Sequence, residues 1–181
     1  MTLGEVKKQI LALIEELNPE SEVLTDDPDI DAKINYVINQ IQFELVRIKR
    51  LPARKKIEVK KDDIKSFAEL ADDLYQLNMI RGIKHSIVDD TITFDEDGEA
   101  IVYYYKYPQA ITEENQDNYV FELPNDLMQI LPYGVAGDVL KSDVSANYGQ
   151  YYSNRYETML QRIDPRYSTG SLYISGDDYG I

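Results

Sequence analysis

Leu3, Val6, Ile10, Leu13, Ile14 and Leu17 recur three and four apart, the spacing that lines one stripe of a helix. Thr2 and Glu5 bracket its start as a capping box, each side chain accepting from the other residue's N–H. Asn18-Pro19 is expected to stop it, because a residue before proline avoids the α region. A second stripe follows in Ile30, Ile34, Val37, Ile38, Ile41, Leu45 and Ile48. Asp27 as N-cap and Pro28 at the first position open it, and Leu51-Pro52 closes it. The two predicted helices span about 2–17 and 27–50.

From Ile57 the period falls to two. Ile57-Glu-Val-Lys alternates like an edge strand, Ser66 to Tyr75 reads as a helical turn or short helix, and Leu77-Asn-Met-Ile resumes extended structure. Two β-rich runs from Thr91 to Tyr105 flank Asp97-Gly98, a strong short-range hairpin signal. The expectation is one small antiparallel sheet inserted at about 52–117. Tyr103, Tyr104, Tyr105 and Tyr107 are expected two to each face of their strand, one pair on the core and the other outside. Outer tyrosines serve cross-strand packing, meet a neighbour, or bind sugars or bases.

The third region begins at Tyr119. Phe121 and Leu123 alternate about Glu122 as in a half-buried strand, and Pro124 suits a first helical position. Leu127, Ile130, Leu131, Val135, Val139 and Leu140 then hold helical spacing, with Pro132 expected to kink or restart the helix. Gly134, Ala136 and Gly137 let another helix approach closely. A last helix gathers Tyr148, Tyr152, Tyr156, Leu160 and Ile163 near one face, with Tyr151, Arg155 and Met159 beside it. That face reads either as a core seam within the subunit or as a surface closed by another chain, since a buried tyrosine needs a partner for its hydroxyl. Tyr148, Tyr151, Tyr152, Arg155 and Tyr156 are the interface candidates.

These helices are predicted at about 125–147 and 148–163. Beyond Asp164-Pro165, Tyr167, Leu172, Tyr173, Ile174 and Tyr179 sit among small residues, and 165–181 reads as a flexible C-terminal arm that orders on a partner. The predicted class is α+β: an antiparallel helical bundle with an inserted small antiparallel β-sheet, residues 1–164 forming a single domain.

Charge qualifies the search for partners. The chain of 181 residues carries a formal −14, against a generic nucleic-acid binder. Yet Arg47, Lys49, Arg50, Arg54, Lys55, Lys56, Lys60 and Lys61 face Glu58 alone within 47–61, a local +7 that leaves −21 elsewhere. Such a dipolar subunit can pair its basic edge with an acidic edge of a copy or partner, or can carry the stretch as a solvated loop. No cysteine is present, so a disulfide framework and a thiolate metal site are excluded. No basic leader precedes an apolar block, and no apolar run is long enough for a bilayer; the expectation is a soluble, unexported protein with no membrane partner.

Catalytic chemistry finds little support. His85, the sole histidine, has no Ser or Cys nucleophile pattern near it, and no Walker loop, GxGxxG or HExxH occurs. Asp26, Asp27, Asp29 and Asp31 offer hard oxygen ligands, but the EF-hand spacing fails where Ile38 replaces the terminal glutamate, and acids at a helix start already favour the macrodipole. The reading is a protein that is not an enzyme, without cofactor or metal.

The order of parts resembles a known family. Two N-terminal helices, a β insert ending in Tyr105-Lys-Tyr-Pro-Gln-Ala-Ile-Thr, Phe121-Glu-Leu-Pro, and Leu131-Pro-Tyr-Gly-Val-Ala-Gly-Asp-Val-Leu running to Tyr148-Gly-Gln-Tyr-Tyr resemble head-tail connector proteins of tailed bacteriophages and prophages, also called portal adaptor or head-completion proteins. The resemblance extends from Leu3 to Ile163 and is strongest from Tyr103. It implies a structural virion protein of the neck, made in the host cytoplasm and assembled beneath the portal as a ring, expected to be twelvefold. That ring would extend the DNA channel without specific DNA binding and would dock the tail or a stopper protein, with the C-terminal arm reaching toward the portal. The β insert is longer than in the compact all-helical members. Other readings are a different tail or neck completion subunit, or a carbohydrate- or peptide-binding module built on the tyrosine-rich sheet.

Overall fold

The computed structural model of the protein describes residues 1–15, 28–141 and 146–163. It is α+β, with two hydrophobic cores. Helices α1 (Leu3–Leu13), α2 (Pro28–Ile48), α4 (Asn125–Leu140) and α5 (Ala146–Leu160) surround the first core; between α2 and α4 lie six strands and the one-turn helix α3 (Phe67–Leu70). Among the described residues no helix is long and apolar enough to cross a membrane.

Helix α4 occupies the centre of the helical part and contacts α1, α2 and α5. Its position explains its composition: from Leu127 to Leu140 nearly every side chain is buried, so the helix has no polar face. Of the two outcomes expected at Pro132, a kink or a restart, the restart does not occur. The helix is continuous from Asn125 to Leu140, because packing on three neighbours offsets the backbone bond that proline removes, a loss of about 3 kcal/mol in an exposed helix. Pro124 is the N-cap rather than the first helical residue, and its carbonyl accepts from Met128 N at 3.0 Å.

The first helix starts as its sequence predicts. Thr2 Oγ1 accepts from Glu5 N at 3.3 Å and Glu5 Oε2 accepts from Thr2 N at 2.8 Å. Those bonds, the backbone one first, hold the Glu5 carboxyl below the usual carboxylate range. It ends earlier than Asn18-Pro19, at Leu13, where Ile14 caps it and Glu15 adopts the left-handed conformation with φ 63. Leu17, Asn18, Pro19, Asp26 and Asp27 lie outside the described residues. The stretch Phe121–Leu123 buries Phe121 and Leu123 and exposes Glu122, but it is no sheet strand. Its backbone partner is the chain's start: Leu3 N donates to Tyr119 O at 3.0 Å and Phe121 N to Met1 O at 3.1 Å, about a bridge between Thr2 and Val120.

The β insert contains two antiparallel three-stranded sheets rather than one. Strands β1 (Leu51–Val59), β6 (Gly98–Lys106) and β3 (Leu74–Arg81) form the first, in the order β1-β6-β3; β2 (Ile64–Ser66), β5 (Thr91–Phe94) and β4 (His85–Val88) form the second, in the order β2-β5-β4. The second core lies among Val59, Leu70, Ile80, Ile92, Phe94, Val102 and Tyr104. The hairpin expected at Asp97-Gly98 is absent, since β5 and β6 pair in different sheets. Gly98 has φ 154, and Asp97 lacks the positive φ that a type I′ turn requires. The tight two-residue hairpin is Asp89-Asp90, joining Val88 to its partner Thr91, with Asp89 at φ 53.

Candidate functional site

Helix α5 owes its close seat on α4 to three glycines. A Cβ at Gly134 would meet the Tyr156 ring at 2.9 Å, one at Gly137 the Ser153 backbone nitrogen at 3.0 Å, and one at Gly149 the Gly137 carbonyl oxygen at 3.2 Å. The small residues around Gly134 and Gly137 thus admit a helix of the same chain. This contact divides the tyrosine face. Tyr156 is buried, and burial first, with Glu44 and Asp138 nearby, pushes its hydroxyl pKa up. Tyr152 is half-buried; its hydroxyl donates to the Leu13 carbonyl at 2.8 Å, tying α5 to the end of α1. Both therefore serve the chain's own core.

Tyr148 and Tyr151 remain 65% and 55% exposed, and Arg155 is exposed beside them. The Arg155 guanidinium lies 4.6 Å from the Tyr133 ring centroid and donates to the Tyr151 hydroxyl at 3.4 Å. Tyr151 meets Tyr152 edge to face, with centroids 5.3 Å apart. This aromatic-arginine cluster continues along one face of α5 through Asn154, Thr158 and Met159 to Arg162. Two guanidinium groups and aromatic rings on one helix face can hold carboxylates and apolar side chains together, the chemistry of a protein partner. The arm residues Tyr167, Leu172, Tyr173, Ile174 and Tyr179 lie outside the described residues.

The basic stretch is spread over several elements. Arg47 lies in the last turn of α2, and Lys49 reaches Asp126 at 2.5 Å. Burial disfavours the Asp126 carboxylate, but Lys49 and nearby backbone N–H groups outweigh it and hold the pKa low. Arg54, Lys55 and Lys56 lie on β1, where Lys56 pairs with Glu99 at 2.8 Å, and exposed Lys60 and Lys61 follow that strand. Arg50 stands 5.1 Å from the Tyr105 ring centroid.

The strand tyrosines are not divided two and two. Tyr104 alone turns into the second core and donates to Asp73 Oδ1 at 2.9 Å; burial and that carboxylate raise its pKa to about 12. Tyr103 and Tyr105 take the other face by parity. Tyr107 lies past the strand's end and joins the helical core to the insert, packing on Phe43 and Tyr75 with centroids 5.5 and 5.0 Å away.

Other candidates have structural employment. His85 Nδ1 lies 3.0 Å from the Ile83 carbonyl oxygen, and its ring is tilted against Phe94. Asp31 pairs with buried Lys7 at 2.8 Å. Among the described residues no group of three or more His, Asp or Glu side chains is placed to hold a metal.

Sequence patterning missed a buried polar node. Gln42, fully buried, donates to Asn39 Oδ1 at 2.9 Å and to the Gln109 carbonyl at 3.2 Å, and its Oε1 lies 3.0 Å from the Tyr119 hydroxyl. Asn39 bonds both backbone groups of Ile111, at 2.8 and 2.9 Å. This node fixes the return from the insert to α4. Its polar residues on the inner side of α2 were the available signal. In comparisons with known proteins, the chain matches no family model and no curated protein.

Proposed function

We propose that this chain is a structural, non-enzymatic subunit of the neck of a tailed bacteriophage or prophage, a head-tail connector that assembles as a ring under the portal and docks the tail. The observation that carries the reading is the division of α5. Its inner tyrosines complete the subunit's core, whereas Tyr148, Tyr151 and Arg155 present an exposed aromatic-arginine surface of the composition favoured at protein interfaces. That surface lies on the helix leading toward residues 165–181, so helix flank and arm can engage one partner together. The α+β architecture, with a β insert carried between helices, accords with this reading. A strongly acidic subunit also suits a channel through which duplex DNA must slide.

Co-expression with the portal protein of the same genome, followed by electron microscopy and native mass, tests the proposal. A stoichiometric ring capping the portal is the expected result, lost on replacing Tyr148, Tyr151 and Arg155 by alanine in a chain that still folds. A folded protein that ignores an intact portal refutes the connector assignment.

A further inference from the structure

The outer face of β1-β6-β3 lies on the side of β6 opposite Tyr104. By register, Tyr103 stands between Arg54 on β1 and Met79 on β3; Tyr105 between Pro52 and Gln76; Ile101 between Lys56 and Arg81. Tyr103 and Tyr105 are half-buried and belong to neither hydrophobic core. The guanidinium of Arg81 lies 5.8 Å from the Tyr103 ring centroid, and that of Arg50 5.1 Å from the Tyr105 centroid. Arg81 falls outside the basic stretch in sequence; strand pairing brings it there. Glu58 and Glu99 share this face, one row beyond Lys56 and Ile101, and Glu99 pairs with Lys56 at 2.8 Å, which leaves the tyrosine end of the face the more positive.

We propose that this face binds single-stranded nucleic acid. Two rings on alternate residues of one strand stand roughly 6.6 Å apart along it, close enough for neighbouring unpaired bases to stack on them. Cations on both flanking strands then reach phosphates on either side, the combination of stacking platform and basic groove that sequence-tolerant single-strand binding requires. The arginines that lie over the rings would swing aside to admit a base and could then stack on its outer face. The net −14 does not prevent this: screening over about 10 Å at 0.1 M salt lets the local cations set the field at the face. Duplex DNA, whose bases are already stacked, has no use for the rings. The inference goes beyond the connector reading and stands without it.

Fluorescence anisotropy of a labelled oligothymidylate of about ten nucleotides, titrated with the full chain from about 0.1 M salt upward, is the test. The expected result is saturable binding that weakens steeply as salt rises, with a shallower salt slope for Arg54→Gln plus Lys56→Gln. Tyr103→Ala and Tyr105→Ala each weaken it at least about fivefold, whereas Tyr103→Phe and Tyr105→Phe retain it, because stacking needs the ring and not the hydroxyl. The phenylalanine variants also keep the question answerable if an alanine variant fails to fold. Absence of binding, equal affinity for a duplex, or alanine variants that fold and bind as tightly as the parent each overturn the proposal. Displacement by polyglutamate as effective as by unlabelled oligothymidylate overturns it in favour of an acidic protein partner.

Discussion

Gly137→Ala is expected to loosen the helical core although it should strengthen helix α4 taken alone. Replacing glycine by alanine inside a helix favours the helix by about 1 kcal/mol. Here the new Cβ would stand 2.6 Å from Ser153 Oγ, 3.0 Å from Ser153 N and 3.3 Å from Ser153 Cα. The hydroxyl can rotate away, but the other two atoms are backbone, so relief requires α5 to move. Overpacking of that kind costs about 1–3 kcal/mol, and because no rotamer change avoids it the upper end applies, leaving a net loss of about 1–2 kcal/mol. Urea unfolding should show a lower midpoint at unchanged slope. Ser153→Ala added to Gly137→Ala should recover only part of the loss, since it removes the hydroxyl contact alone. Gly4→Ala is the control of opposite sign: nothing lies within 4 Å of a Cβ there, and a gain of about 0.5 kcal/mol is expected. A Gly137→Ala protein as stable as its parent would refute the close α4-α5 crossing.

The polar node gives a second prediction: Gln42→Leu should destabilise by about 1–3 kcal/mol through loss of the three hydrogen bonds Gln42 makes, while the Tyr119 hydroxyl still donates to the Gln109 carbonyl and Asn39 still holds Ile111, read by chemical denaturation. Alkali should act through Tyr104. Its folded pKa of about 12 lies above the ordinary 10.0, so its contribution is full below pH 10 and is lost as pH rises toward 12, by at most about 3 kcal/mol; Tyr104→Phe should flatten that part of the stability profile. Acid acts in the opposite sense at the start of α1, because the lowered pKa of Glu5 makes its contribution present above about pH 4.5 and lost as pH falls below it. Glu5→Gln should remove that acid-dependent loss, and a stability profile in acid unchanged by it would remove the capping box from the account.

Local patterning located α1, α2 and α5 because each buries one stripe and α4 because its apolar residues keep helical spacing, and the shift to period two located the insert. It failed where the deciding partner is distant in sequence. Asp97-Gly98 has hairpin chemistry, but β6 is claimed on both sides by β1 and β3, whose side chains supply its core contacts, so the turn joins two sheets. The same distance effect hid both surfaces. Tyr148, Tyr152 and Tyr156 fall on one predicted face, yet Gly134 and the end of α1 draw the latter two inward and leave the first in solvent. Arg81 and Arg54 are separated by a whole strand system, and only β6 between them makes them neighbours of one tyrosine.

That placement also separates two uses of the same residue types. On α5 the rings touch one another and Arg155 bonds a tyrosine hydroxyl, so the cluster is held rigid before any partner arrives, as a protein contact of fixed shape requires. On β6 the two outer rings are held apart by the pleat and flanked by cations from both neighbouring strands, which suits a repeating anionic ligand. The two surfaces should therefore respond differently to salt. If α5 docks a protein partner as proposed, that binding should lose less affinity when ionic strength rises, because tyrosine burial supplies much of it, whereas oligonucleotide binding on β6 should weaken steeply. Measured on one preparation, parallel salt dependences would contradict the division of labour argued from these geometries.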